Sequence, residues 1–576
     1  MLNFELMRKI YILTILLICI LVGIQLSIFK SEMNHVFEKK NMNDLRQSSV
    51  GNPSIVIESD LDFETHGFVG TGTENDPYLI EDIVINSTDM YSSGIYITGT
   101  TKHFIIKNCT IDVNVYAVEI YNITSGTAKI INNTIFSCYY GIFIELASGT
   151  LIINNTITKY RYGPWPFGPV MIKPTIANVD CRDSNNLMIL NNNCTAGWDA
   201  GIHLFDCNYV DIIKTNFKYS LYGITFPSSS YISVINCTFA YHWYGGINLG
   251  VGGSDYLIIE DNKFEKCGLI VGMSYSRLRI ESIKGNIVNG KLLGYFEGRD
   301  GLILNESIYG QIILYECGSV TISNQILDEC SVGLIIMDSS LYVNREIIIT
   351  NISSCYNQDG IRIYEGANLL ISNNNLSFNY HNGINIISSW NSEYSYNLCS
   401  YNNETGIFFD GNEGRYIGSK PHDNLIFNNK LIRNDYGIYM WYTDNTEISY
   451  NLIQDNLGRG VGIGMNSEGN IVHHNRFIDN CPRYPPGSSQ GFQDYDESPN
   501  NLWYDPSSKE GNYWSDWNGT GPYRIYSFEG AVYDLYPLNE NLLRNPPSSI
   551  GGYDILFLVV TSLLFSLAVI KKIKAK

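Results

Sequence analysis

Residues 132–145 read "NNTIFSCYYGIFIE": a pair of asparagines, a short apolar alternation, then Gly-Ile. The pattern returns along the chain with different residues between its fixed points. Upstream stands "KNCTIDVNVYAVEI" from Lys107; downstream follow "INNTITKYRYG" from Ile153, "NNNCTAGWDAGIHLF" from Asn191 and "INCTFAYHWYGGINL" from Ile235. Later copies include "ISNNNLSFNYHNGINII" from Ile371 and "FNNKLIRNDYGIYM" from Phe427. Copies recur about every 22 residues, stretched by insertions, and a period of that size marks a solenoid.

Within each copy, runs such as "AKIINNTI" and "GIFIE" place an apolar residue at every second position, which makes strands with one buried face. Asn tolerates the left-handed region better than other residues with a Cβ, so Asn-Asn marks a corner turned within one or two residues. Coils stacked at about 4.8 Å bring equivalent asparagines into a column whose amides hydrogen-bond from coil to coil. The fold class is therefore all-β: a right-handed parallel β-helix, here flanked by two membrane helices.

Residues 10–29, "IYILTILLICILVGIQLSIF", follow Arg8 and Lys9 and are long enough to cross a bilayer as a helix. Residues 1–30 read as an N-terminal anchor or signal segment, with the uncleaved anchor favoured because no small-x-small cleavage site follows. At the other end, 553–570 is a second apolar span, followed by the basic tail 571–576. Polar 31–52 and the Pro/Ser/Gly run 541–552 are linkers. Between them, 53–540 forms one ectodomain of roughly 16 coils, a rod of about 75 to 80 Å, with 500–540 as its C-terminal cap. Basic outer flanks put both termini in the cytoplasm and the body outside the cell.

The net charge of −19 excludes nucleic acid as a partner, since a phosphate backbone needs a basic face. Glycosylation acceptors stand at Asn86, Asn122, Asn305, Asn351, Asn403 and Asn518, among others.

Four longer motifs occur in order: "GFVGTGTENDPYLIEDIVIN" (67–86), "GNIVNGKLLGYFEGRDGLIL" (285–304), "YGQIILYECGSVTISN" (309–324) and "GNYWSDWNGTGPYRIY" (511–526), which ends in "YDLYPL" (533–538). Together they resemble NosD-like right-handed β-helix proteins, a group within the carbohydrate-binding and sugar-hydrolase β-helices with many archaeal cell-surface members. The resemblance implies a saccharide partner, and its family name a part in copper handling. Relatives often carry an acidic loop after the "NYWSD" signature; here Thr520 runs directly into Gly521, Pro522 and Tyr523, and only "QDYDES", with Asp494, Asp496 and Glu497, offers calcium ligands.

Candidate site residues fall into three sets. If Gly141, Gly201, Gly223 and Gly246 are equivalent, Cys138, Trp198, Ser220 and Trp243 form one column, with Tyr140 and Tyr244 in the next. Together with Tyr160, Tyr162 and Trp165 from the insertion 158–174, Trp198 and Trp243 make an aromatic platform for sugar rings, and Asp199, His203, Asp206 and His242 supply hydrogen bonds to hydroxyls. "GSKPHDNLIFNN" (418–429) resembles the Asp-Pro-His-Asp motif of β-helix uronate epimerases at Pro421, His422 and Asp423, but Lys420 replaces the first Asp. With Asp199, His422 and Asp423 are the catalytic candidates. Copper finds no support in ligand spacing: His473 and His474 adjoin on a strand and face opposite ways, and Cys109, Cys194 and Cys237, one corner position in three coils, read as small wall residues. No cofactor is expected: "QDYDES" reads first as a solvated loop, with calcium the alternative, and copper is disfavoured. The functional expectation is a surface protein that binds glycan or serves as an adhesive or structural rod. A polysaccharide lyase, hydrolase or epimerase is the first alternative and a copper-handling accessory the second, and the balance lies against an enzyme.

Overall fold

The computed structural model describes residues 55–540 apart from 88–92, 138, 160–176, 250–252, 272–278, 340–345, 412–419, 483–491, 499 and 528–529. Both apolar ends and their linkers lie outside the described residues, and among those described no helix is long and apolar enough to cross a membrane.

Each coil is three short strands in succession, for example Tyr140–Glu145, Leu151–Ile153 and Thr156–Lys159. Each strand pairs in parallel with its equivalents one coil away: Ile142 with Val118 and Val179, Ile152 with Ile130 and Ile189, Ile157 with Ile135 and Cys194. The two-residue period turns Ile142, Ile144, Ile152 and Ile157 inward, where all are fully buried. This gives an all-β parallel solenoid of about 15 turns.

The corner between second and third strands is where the asparagine pair acts. Asn132, Asn154 and Asn191 take φ values of 57°, 57° and 55°, and the following residues, Asn133, Asn155 and Asn192, turn inward. Asn133 Nδ2 donates to Asn155 Oδ1 at 3.0 Å, and Asn155 Nδ2 to Asn192 Oδ1 at 3.0 Å. Cys109 and Cys237 occupy this same column, their backbone N–H groups donating to Asn133 Oδ1 and Asn262 Oδ1. Cys194 does not, contrary to the corner assignment. In "NNNCT" the second Asn takes the ladder place, so Cys194 falls two residues on, in the strand column of Ile157 and Phe217. All three thiols are buried and free.

The solenoid is not one uninterrupted stack. Through the first half, a nine-stranded sheet runs from Ile55–Ile57 to Leu269–Val271 and a second from Tyr78–Glu81 to Arg279–Lys284. The third sheet ends at Ile287–Val288, which pairs antiparallel with Lys291–Glu297; that strand in turn pairs in parallel with Tyr309–Tyr315. A new stack begins there. Strands of the Gly-Ile type, from Val332–Met337 to Tyr436–Trp441 and beyond, now continue the sheet that had held the third strands. Two cores result. Ile312, Leu314, Leu334 and Ile336 point into the second, while alternate residues Ile313, Tyr315, Ile335 and Met337 point the other way and close the end of the first. Both faces of these strands are thus buried, as the unbroken apolar run "GLIIM" requires.

The outer ends are closed by aromatic residues. At the start, Phe63 of the short helix Asp62–Thr65 is fully buried and stacks on Tyr78 at 4.7 Å. At the far end Trp514 lies between Phe477 (4.2 Å) and Tyr523 (4.0 Å), and its indole N–H donates to Asp534 Oδ2 at 2.9 Å. Exposed solenoid ends need such seals.

Candidate functional site

Where the two stacks meet, the loops that lead into their Gly-Ile strands converge. Trp243, three residues before Gly246, lies 4.9 Å from the ring of Tyr380, three residues before Gly383. Tyr244 and His381, one residue later in each loop, lie 5.9 Å apart. The Gln358 side-chain amide donates to the Trp243 carbonyl. Equivalent positions of the repeat thus face one another across an inner corner, with Trp243 48% and Trp198 47% exposed along its first wall.

Strand register sets the spacing of the tryptophans. Ala200 pairs with Tyr222 and Tyr222 with Gly245, so Trp198, Ser220 and Trp243 do share a column. The two indoles stand two coils, about 9 to 10 Å, apart, with a serine between them. Elsewhere aromatic residues fill consecutive coils: Tyr209, Tyr231 and Tyr256 stack at 4.6 Å each, interplanar 12° and 5°, and cover one another's faces. Those ladders stiffen turns held at φ of 58° to 59°; the tryptophan column leaves room between rings. The neighbouring column differs from expectation. Tyr140 aligns through Ala177 and Ala200 with Tyr222 and then with Gly245, and Tyr244 is one residue off, because it stands two residues before Gly246 whereas Tyr140 stands one before Gly141.

The second wall holds a buried polar network. Asp359 is fully buried; its Oδ2 accepts from Arg362 Nε at 2.7 Å and Asn385 Nδ2 at 3.0 Å, and its Oδ1 from the backbone N–H and side-chain amide of Asn382 at 3.0 and 3.1 Å. Burial alone pushes the Asp359 carboxyl up, but the adjoining guanidinium and the Asn385 amide outweigh it and hold the group below its usual range. Two buried acceptors here, Gln358 Oε1 and Asn385 Oδ1, have no hydrogen-bond partner. From Asn385 the same outward column continues through Phe408 and Tyr439, rings 5.8 Å apart. Nothing in the sequence marked this wall, because the motifs that face each other are some 140 residues apart in the chain (380 − 243 = 137).

The other candidates are dispersed. Asp199 borders the corner, next to Trp198. His203 is nearly buried, its Nδ1 3.3 Å from the fully buried Asp180, which Arg182 also grips. His242 is only 4% exposed, and burial holds its imidazole down to about 4, so the inward turn takes it away from any surface ligand. Asp206 is exposed in a turn at φ 51°. Tyr160, Tyr162 and Trp165 lie outside the described residues, as does Cys138.

His422 Nδ1 lies 2.9 Å from Asp423 Oδ2, with Asp423 in a left-handed turn (φ 54°) and Lys420 paired with Asp444. This pair belongs to the second stack and Asp199 to the first, so the three catalytic candidates do not form one centre. The acidic "QDYDES" segment is built into the second stack rather than left in solvent. Asp494 and Asp496 are fully buried, Asp496 accepting from Trp503 Nε1 at 2.8 Å and Asn501 Nδ2 at 3.0 Å, while Glu497 alternates away. His473 and His474 are also placed otherwise than expected. His474 sits at φ 56°, outside the strand, so the turn swings its Nδ1 to 2.7 Å from that of His473. Their remaining nitrogens face Glu447 and Glu510.

The right handed beta helix region family model matches residues 177–347 and 341–503. The chain belongs to the right-handed β-helix family. A further model, that of the periplasmic copper-binding protein NosD, matches residues 23–168 of this β-helix protein. Among the described residues of that stretch, the side chains form no copper site. Cys109 is a buried thiol raised by burial, His66 bonds to the Asp62 carbonyl, and among the described residues no group of three or more His, Cys, Asp or Glu could hold a metal ion. No curated protein matches the chain. Among solved structures it is similar to the periplasmic alginate epimerase AlgG (12% identity over 76% of this chain and 74% of that one, TM-score 0.22). It is also similar to the catalytic domain of a GH87 alpha-1,3-glucanase in complex with nigerose (12%, 71% and 64%, TM-score 0.20). A third is the Azotobacter vinelandii mannuronan C-5 epimerase AlgE6 A-module (10%, 78% and 98%, TM-score 0.18). At such identities the likeness bears on fold alone, and TM-scores this low add nothing to it.

Proposed function

We propose that this β-helix binds a polysaccharide in the corner between its two stacks and holds it without chemical change. The observation that carries the reading is the Trp243–Tyr380 pair at the corner, rings 4.9 Å apart with Trp243 48% and Tyr380 43% exposed. Aromatic faces pack against the apolar faces of sugar rings, and two exposed rings from two stacks give such a ring a surface on each wall. Catalysis needs an acid and a base poised on one bond; at this corner Asp359 is bound on both oxygens by Arg362, Asn382 and Asn385. The apolar spans 10–29 and 553–570 support an anchored body held outside the cell membrane.

The test is a glycan array probed with the full-length protein, followed by size analysis of any polymer that binds. The reading expects retention with unchanged polymer length. Shortened or epimerised product would make the protein an enzyme, and an array without hits would remove the reading.

A further inference from the structure

We infer that two copies of this chain associate, solenoid axes antiparallel, through the outward face of the sheet that runs from Tyr78–Glu81 to Arg279–Lys284. Each of its nine strands ends in an outward residue just before a corner residue of positive φ, and the pairing register sets these end residues in one column. Glu81 and Lys107 begin the column, and Glu260 and Lys284 close it. Between them stand Ile131, Ile153, Leu190, Ile213 and Ile235, all half-exposed. The coil does not require apolar residues there: the matching column of the second stack reads Ser323, Thr350, Ser372 and Ser395 in succession. An aliphatic run on an open sheet face, rimmed by charge, marks a surface that meets a partner.

The order of the column makes that partner a second copy. Turned over about the strand direction and laid on itself, the column brings Glu81 opposite Lys284, Lys107 opposite Glu260, Ile131 opposite Ile235 and Ile153 opposite Ile213, with Leu190 on Leu190 at the two-fold axis. A two-fold interface needs a surface complementary to its own reverse, and this one is. Parallel axes would instead set Glu81 on Glu81 and Lys107 on Lys107. Within one copy Lys107 pairs with Glu81 at 2.7 Å and Lys284 with Glu260 at 3.0 Å, so facing copies build a four-charge network of alternating sign at each end of an aliphatic middle. In the neighbouring outward column Lys129 and Asp211 fall one coil out of opposition, close enough to attract across the interface. Nine strands spaced about 4.8 Å and each about 13 Å long offer about 500 Å² per copy. The total of about 1,000 Å² is the lower edge of specific interfaces, so the dimer should dissociate on dilution.

Cross-linking of the full-length protein in detergent tests both the association and its register, with a short bismaleimide that spans the roughly 10 Å between packed sheets and wild type as the control for native thiols. Leu190→Cys should give a covalent dimer. Differently tagged Ile131→Cys and Ile235→Cys proteins, mixed, should give at least tenfold more mixed dimer than Ile131→Cys gives with itself, because antiparallel copies hold their two 131 positions four coils, about 19 Å, apart along the column. Self-linking of Ile131→Cys as readily as the mixture overturns the antiparallel register, and no product above wild type from Leu190→Cys and from the mixture overturns the association. Light scattering over a dilution series gives the second measurement. Leu190→Asp, which sets two carboxylates against each other at the axis, should dissociate at protein concentrations at least tenfold higher than wild type does. Equal mass for the two proteins at every dilution means that this face holds no dimer and overturns the proposal. If Leu190→Asp does not fold, the cysteine variants still decide it.

Discussion

Gln311, in the second stack, donates from Nε2 to the Leu269 carbonyl at 2.7 Å and accepts from the Leu269 backbone N–H at 2.9 Å, completing the last first-sheet strand of the first stack. The same Nε2 also reaches the Val332 carbonyl at 2.8 Å, so one side chain stands in for the missing next strand. Truncation to alanine leaves a buried N–H and carbonyl unpaired, each costing about 1 to 3 kcal/mol. Gln311→Ala should therefore unfold at clearly lower denaturant and widen the joint. Equilibrium unfolding with solution scattering reads both; an unchanged midpoint would mean that water replaces the amide.

Asn429 tests the ladder. Its Nδ2 donates to the Tyr394 carbonyl (2.8 Å) and Asn451 Oδ1 (3.0 Å), and its Oδ1 accepts from the backbone and side-chain nitrogens of Asn397 (2.9 and 3.1 Å). Asn429→Ala removes four buried hydrogen bonds at once, although Asn451 Oδ1 keeps the Asn429 backbone N–H and Asn397 Nδ2 the Ile371 carbonyl, and the expected loss is about 3 kcal/mol. An exposed turn asparagine such as Asn132 should cost well under half of that when changed to glycine, which also accepts its φ of 57°.

Trp198 and Ile142 separate surface from core. Ile142 is fully buried, and Ile142→Ala should cost about 2 to 5 kcal/mol of stability. Trp198, half exposed, should cost little stability but about 1 to 3 kcal/mol of glycan affinity, the worth of one large apolar side chain. Melting and binding measured side by side decide it. If Trp198→Ala melts as early as Ile142→Ala, the indole is packing rather than platform.

His242 gives the protein an acid-side weakness. Its folded value of about 4 lies below the ordinary 6.5, first because of burial, so the unfolded chain takes up a proton that the folded one refuses. Stability should fall as pH drops from 6.5 towards 4, by up to about 3 kcal/mol from this group, and be flat above 6.5. Asp534, pushed up to about 6 by burial, acts in the opposite sense: it loses stability as pH rises from 3.8 to 6. Because Asp534 is common to both proteins, the difference between wild type and His242→Asn isolates the histidine. Urea midpoints at pH 4.5 and 7 should differ less in the variant, and an equal pH response in both would contradict the buried neutral imidazole.

The sequence by itself determined the coil. Asn at the corner, Gly before the strand and apolar residues at every second position are local requirements, each met within a few residues, so a single repeat such as 132–145 already carries them. It also announced the C-terminal cap, since the tryptophans of 503–517 gather after the last repeat and have no coil of their own to fill, whereas the Phe63 seal at the other end was not legible. Side-chain direction at irregular places was not legible. Cys194 left the ladder, and His474 turned onto His473, because one extra asparagine or one left-handed φ displaces every assignment made by counting. Nor was the joint. Its antiparallel step between Val288 and Lys291 looks like any Asn-Gly turn in the sequence, and only packing made the second stack's wall the lid of the first. The corner exists because an apolar core end is costly in water and the next element of the same chain lay within reach to cover it. That long-range choice brought Trp243 to Tyr380, and no local pattern encodes it.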